Sequence, residues 1–258
     1  MLFKAKALAS YKLKGKDGEI GKAKEFYFDD KYWAIRYLVA DTGGWLTGRK
    51  VLISPYSLIS INEKEEHIVV NLNEKQIEES PSLESDKPVS RQFESLYYDY
   101  YKIPTYWTGS YMWGAYPFIM REDEELKKEK QQQQDSWDPH LRSTKDVTGH
   151  HIQAHDGEIG HVEDFIIDGE TWAIRYLIID TKNWWGGKKV LISPEWIDRI
   201  SWKESKVYIN LSREIIKQSP EYSDDFLITR EYEDQLHQHY KLKGYWNDES
   251  VDNNHMPK

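Results

Sequence analysis

The chain has 258 residues, 39% of them hydrophobic and 31% charged, and a formal net charge of −9. That length allows two domains, the composition excludes wholesale disorder, and the negative balance argues against a general nucleic-acid binder. The lack of cysteine excludes disulfides, thiolate zinc sites and a cysteine nucleophile, and fits a reducing cytoplasm.

The opening residues, Met1 to Lys6, lack the apolar run of a signal peptide. No apolar stretch reaches the roughly 18 residues of a membrane-spanning helix, so no membrane span and a cytoplasmic location are expected. Residues 4–14 place Lys4, Lys6, Lys12 and Lys14 at even positions, with Ala5, Ala7, Tyr11 and Leu13 between them. This alternation predicts a half-buried strand with a lysine face. Asp17-Gly18 predicts a hairpin turn, and Gly21 predicts a bulge or a close backbone approach. The run Ala23 to Phe28 alternates, and Asp29-Asp30 makes a second turn. Trp33 to Ala40 reads as the longest strand. Both of its faces are largely apolar, as for a strand lining a small barrel and covered outside.

Asp41-Thr42 opens a glycine-rich loop that carries Trp45. Val51 to Ile53 is a short strand stopped by Ser54-Pro55. Leu58 to Asn62 and His67 to Leu72 read as a hairpin. Asn73 predicts the N-cap of a short helix. Phe93, Leu96, Tyr97, Tyr100 and Tyr101 fall at helical spacing on one face.

The same words return 139 residues later. Trp33-Ala34-Ile35-Arg36-Tyr37-Leu38 recurs at Trp172 to Leu177, and Asp41-Thr42 at Asp180-Thr181. Between Asp17–Pro55 and Asp156–Pro194, 23 of 39 positions are identical without a gap. Shared patterning alone does not produce that, so a segment has been duplicated. The register holds to Tyr106-Trp107 and Tyr245-Trp246. This organises the chain as a first copy at 1–107, a linker at 108–140, a second copy at 141–246 and a polar tail at 247–258. The linker begins with an aromatic piece that contains Trp113, Tyr116 and Phe118, and continues as a charged and glutamine-rich run.

The words Asp-Gly-Glu-Ile-Gly, Trp-Ala-Ile-Arg-Tyr-Leu-x-x-Asp-Thr and Lys-Val-Leu-Ile-Ser-Pro resemble the PRC-barrel family, named for the cytoplasmic domain of the photosynthetic reaction centre H subunit. The resemblance covers roughly residues 7–80 and 146–219. It implies a mainly β fold of two small antiparallel β-barrels in tandem, each followed by short α-helices. It also implies a non-enzymatic role in protein–protein contact or assembly, with no cofactor. The H subunit has a membrane helix that this chain lacks, so photosynthetic biology does not carry over.

Asp41 and Asp180 are expected to shape turns by accepting backbone N–H bonds, not to act as paired acids. Arg36 and Arg175, mid-strand on apolar faces, predict ion pairs within their own copy. Trp45, Trp184 and Trp185 on loops, with Trp113, Tyr116 and Phe118 in the linker, are the candidate contacts for an unidentified protein partner. The nine histidines do not repeat between the copies, and His237 and His239 cannot share a helix face, so no metal site is expected. The duplication predicts an intramolecular pseudo-dimer, and a homo-oligomer is a further option. Two other classes stay open: a small-molecule or pigment-type binder using an aromatic cleft between the copies, and, more weakly, nucleic-acid binding by the Lys4–Lys24 face.

Overall fold

A computed structural model describes residues 1–43, 46, 50–81, 91–103, 105–106, 141–181 and 187–246. The fold is mainly β. The first copy supplies β1 (Leu2–Lys4), α1 (Ala5–Leu8), β2 (Lys12–Lys14), β3 (Glu19–Asp29), β4 (Ala34–Asp41), β5 (Lys50–Ile53), β6 (Leu58–Asn62), β7 (His67–Val70), α2 (Glu74–Glu78) and α3 (Arg91–Tyr101). The second supplies β8 (Leu141–Ser143), α4 (Thr144–Val147), β9 (His151–Ala154), β10 (Gly157–Asp168), β11 (Ile174–Asp180), β12 (Lys189–Ile192), β13 (Ile197–Ser201), β14 (Lys206–Ile209), α5 (Arg213–Gln218) and α6 (Arg230–Tyr240).

These strands form two seven-stranded sheets. One has the order β5-β4-β3-β2-β7-β6, with β8 added beside β3. The other has the order β12-β11-β10-β9-β14-β13, with β1 added beside β10. Purely antiparallel pairing fails at one place in each sheet, because β2 runs parallel to β7 and β9 parallel to β14. These partners are distant in sequence, so no hairpin dictates their direction.

Three local expectations are corrected. The leading segment is not one strand: the helical turn α1 interrupts it, leaving Lys4 at the end of β1, Lys6 in the helix, and the exposed Lys12 and Lys14 on β2. Trp33 stands outside its strand, with a left-handed backbone at φ 53, and the longest strands are β3 and β10. Leu96 is exposed, and its place on the buried face of α3 is taken by Glu94. Elsewhere the local signals hold. Asn73 caps α2 in a capping box with Gln76. Ser54 and Ser193 each cap a one-turn 3-10 helix that opens with proline.

The chain divides into two compact units. One comprises Met1–Val147 and Asp164–Arg175, the other Thr148–Glu163 and Tyr176–Lys258. The first unit contains a reciprocal strand exchange. Leu2, Phe3 and Lys4 of β1 pair with Asp168, Ile167 and Ile166 of β10. Leu141, Arg142 and Ser143 of β8 pair with Asp29, Phe28 and Tyr27 of β3. Every pair in one ladder maps onto a pair in the other through the 139-residue offset. Ala34 then bridges Ala173, its own equivalent. The Ile35 amide donates to the Trp172 carbonyl (2.9 Å) and the Ile174 amide to the Trp33 carbonyl (2.8 Å). The left-handed turn at Trp33 and Trp172 aims those carbonyls across the junction. Alanine at 34 and 173, each almost wholly buried, lets the two backbones approach.

In the second unit, β9 joins β10 and β14, and the edge of β12 is covered where Tyr222 bridges Lys189. Lys189 also reaches Glu163 (2.9 Å) and Asp224 (2.5 Å). The neighbouring Lys188 donates to the carbonyls of Lys217 and Ser219 at the end of α5, where a cation meets the negative end of a helix.

Candidate functional site

The junction in the first unit is ordered by buried ion pairs. Arg36 is fully buried and lies 3.5 Å from Asp29. Arg175 reaches Asp168 with both Nε (3.2 Å) and Nη2 (2.9 Å). Both pairs are internal to a copy, as the sequence predicts. Each aspartate also closes the turn between its two strands. Asp29 accepts from the Lys31 and Tyr32 amides, and Asp168 from the Glu170 amide and the Thr171 hydroxyl. Burial raises the Asp168 pKa, but the Glu170 amide and Arg175 outweigh it and hold the carboxyl below the usual range. Phe28 packs between Trp33 and Phe165, and Phe26 against Trp172, so aromatic rings from both copies fill the junction.

Sequence reasoning missed a second feature, a buried carboxylate in each copy. Glu94 on α3 is fully buried. Its Oε1 accepts from the hydroxyls of Tyr37 (2.7 Å) and Tyr106 (2.8 Å). Burial first, and then the Glu94 charge, pushes the Tyr37 pKa far above the usual tyrosine value. The Arg36 guanidinium lies 4.3 Å from the Tyr106 ring centre. In the second unit Glu233 on α6 occupies the equivalent place. It accepts from Tyr176 and Tyr245, both at 2.9 Å, and pairs with Arg230 at 3.1 Å. The fourth member differs between the copies, Tyr98 in the first and His237 in the second. One signal could have found these sites: buried tyrosine hydroxyls need an acceptor, and Glu94 and Glu233 are the duplicated acids on the tyrosine-rich helices.

The Asp-Thr words mark where each glycine approaches a backbone. A Cβ on Gly21 would lie 2.1 Å from the Asp41 carbonyl oxygen, and one on Gly160 would lie 2.1 Å from that of Asp180. Both glycines have positive φ. Asp41 accepts from the Gly43 amide (3.1 Å) and from Lys24 (3.3 Å), and these bonds lower its pKa. Asp41 shapes its turn through these bonds, while Asp180 is buried. The hydroxyls of Thr42 and Thr181 donate to the carbonyls of Leu46 and Lys188, pinning the loop base in both copies. Beside Gly21 lies a cleft of about 500 Å³ lined by Ala9, Glu19, Lys22, Lys24, Asp41 and Thr42. Its described lining is aliphatic and charged.

Trp45, Trp184, Trp185, Trp113, Tyr116 and Phe118 lie outside the described residues. Among the described residues no group of three histidines, aspartates or glutamates gathers for a metal ion, and no helix is long and apolar enough to cross a membrane. His237 is buried, and His239 is half-buried and turned to the Ile215 carbonyl.

No curated protein matches the chain at a significant level. The family model of the PRC-barrel domain matches residues 145–216, which span α4 to the middle of α5. That stretch contains the second copy of every repeated word: the glycine hairpin, the Trp-Ala-Ile-Arg strand entry, the Asp-Thr turn and the Ser-Pro stop. Over residues 145–216 the chain is therefore similar to the PRC-barrel domain family.

Proposed function

We propose that the protein is a non-enzymatic PRC-barrel module that works through protein–protein interaction or assembly. In this reading residues 1–107 and 141–246 are two PRC-type barrels in tandem, and 108–140 is the segment that joins them. The observation that supports it is the reciprocal exchange of β1 and β8. An isologous junction of this kind, with Ala34 against its own equivalent, is what a symmetric dimer leaves behind when it is fused into one chain. The polar side chains that could carry chemistry support the same reading. Asp29, Asp168, Glu94 and Glu233 are all buried and engaged by arginine or tyrosine.

The loop and linker aromatics Trp45, Trp184, Trp185, Trp113, Tyr116 and Phe118 are the proposed contacts, because rigid aromatic side chains dominate binding hot spots. The test is affinity capture of the full chain from its native cell, beside a variant carrying Trp45→Ala, Trp184→Ala and Trp185→Ala. A partner retained by the parent and lost by the variant supports the proposal. Failure to capture any reproducible protein, together with turnover of a metabolite by the purified chain, removes it. Stabilisation by a hydrophobic dye, with no protein captured, replaces it with the small-molecule reading.

A further inference from the structure

His237 sits at the centre of the second unit's cluster and is 3% exposed. Its two ring nitrogens face different partners. Nδ1 lies 2.9 Å from the Lys243 carbonyl oxygen, which can only accept, so Nδ1 carries a proton. Nε2 lies 3.1 Å from the Tyr176 hydroxyl, and that hydroxyl lies 2.9 Å from Glu233. Tyr176 has one proton to give. With Nε2 bare, that proton is shared between the imidazole and the carboxylate. A proton on Nε2 makes the nitrogen a donor and places a second cation in the cluster.

The surrounding charges decide which state the site holds. On α6, Glu233 is already matched by Arg230 and also accepts from Tyr245. Asp234 on the same helix favours the charged ring, and Arg230 opposes it. Tyr176 on β11, Trp196 on the 3-10 turn and Trp246 pack around the ring without charge. A protonated His237 therefore leaves the buried cluster with an unmatched positive charge. Burial accordingly pushes the His237 pKa below the ordinary histidine value.

The same residue holds the end of the described chain. The Leu242 amide donates to the His237 carbonyl (3.0 Å), and Trp246 packs edge-to-face on the ring at 4.9 Å. The Arg230 guanidinium lies 4.3 Å from the Trp246 ring centre. In the first copy this place belongs to Tyr98, which is uncharged throughout the physiological range.

We propose that His237 is a pH-sensitive clamp, which docks Lys243–Trp246 on α6 when neutral and releases it when protonated. Only the second copy has this device. It is tested by hydrogen–deuterium exchange of the full chain, followed in the peptide Lys241–Trp246 and corrected for the intrinsic pH effect. Between about pH 7.5 and 5.5, which brackets the ordinary histidine midpoint, exchange in the parent rises about fivefold or more as the segment opens. In His237→Tyr, which carries the first copy's residue, and in His237→Gln, it stays flat. Either variant suffices if the other folds poorly. An equal rise in both variants, or none in the parent, overturns the proposal. So does a His237 ring resonance that titrates above the ordinary histidine midpoint.

Discussion

The two buried carboxylate sites share three members and differ in the fourth. Glu94 with Tyr37 and Tyr106, and Glu233 with Tyr176 and Tyr245, have the same geometry to within 0.2 Å. Tyr98 and His237 then diverge. The shared part is a polar network that must be complete, because a half-satisfied network in an apolar core costs more than none. The variable part lies one shell outward, where a phenol and an imidazole can each reach the central tyrosine. Constraint therefore falls on the acceptor and its two donors.

Removing the acceptor is the largest expected change. Glu94→Ala orphans two buried hydroxyls, each worth about 1–3 kcal/mol, and adds a cavity, so a loss of about 4 kcal/mol is expected in chemical denaturation. Glu233→Ala should cost about 4 kcal/mol by the same count, since it too orphans two buried hydroxyls. A loss under about 1 kcal/mol in either copy would show that the network contributes little.

Next come the glycines. Gly21→Ala and Gly160→Ala each force a methyl onto a carbonyl oxygen 2.1 Å away from a positive-φ backbone. About 3 kcal/mol is expected for each, and similar values in the two copies would confirm that the turn is used alike.

Asp164 sharpens the contrast between the copies. It is buried, it accepts the Lys6 amide at the start of α1, and burial pushes its pKa from 3.8 up to about 6. Its counterpart Glu25 instead meets the Ser143 hydroxyl (2.5 Å) and Lys50 (3.7 Å). A carboxyl whose pKa is raised by folding favours the folded state when protonated. Its contribution is complete below pH 3.8 and is lost as the pH rises through about 6. Asp164→Asn should therefore be more stable than the parent at neutral pH, by as much as about 2 kcal/mol, with the advantage fading in acid. Melting curves across pH 4–8 decide it, on a range set by that linkage, and a neutral-pH loss in the variant would reject the assignment. The smallest effect is expected from Lys24→Ala. It removes an exposed pair with Asp41 and should change stability by no more than about 0.5 kcal/mol.

The sequence discloses features written in local chemistry. Asp-Gly turns, the Ser-Pro stops, the Asn73 cap and the arginine–aspartate pairs each follow from a residue and its near neighbours. The exchange of β1 and β8 does not, since it is a choice of partner more than 100 residues away and a lone strand records no partner. The left-handed Trp33 is hidden as well, because tryptophan gives no propensity signal for that conformation. Glu94 was hidden by its type: a glutamate on a helix reads as solvent-facing, which left Leu96 to be assigned inward. Only the tyrosines' need for an acceptor argues otherwise, and that need appears once their burial is known.

The bridge between Ala34 and Ala173 has an evolutionary consequence. In a symmetric pair of identical chains, one codon specifies both sides of the axis, so every substitution there is made twice and must fit its own image. When both sides lie in one gene, selection can test each separately. At the bridge Trp33 to Arg36 and Trp172 to Arg175 are identical, whereas Tyr98 and His237, away from it, are different residues.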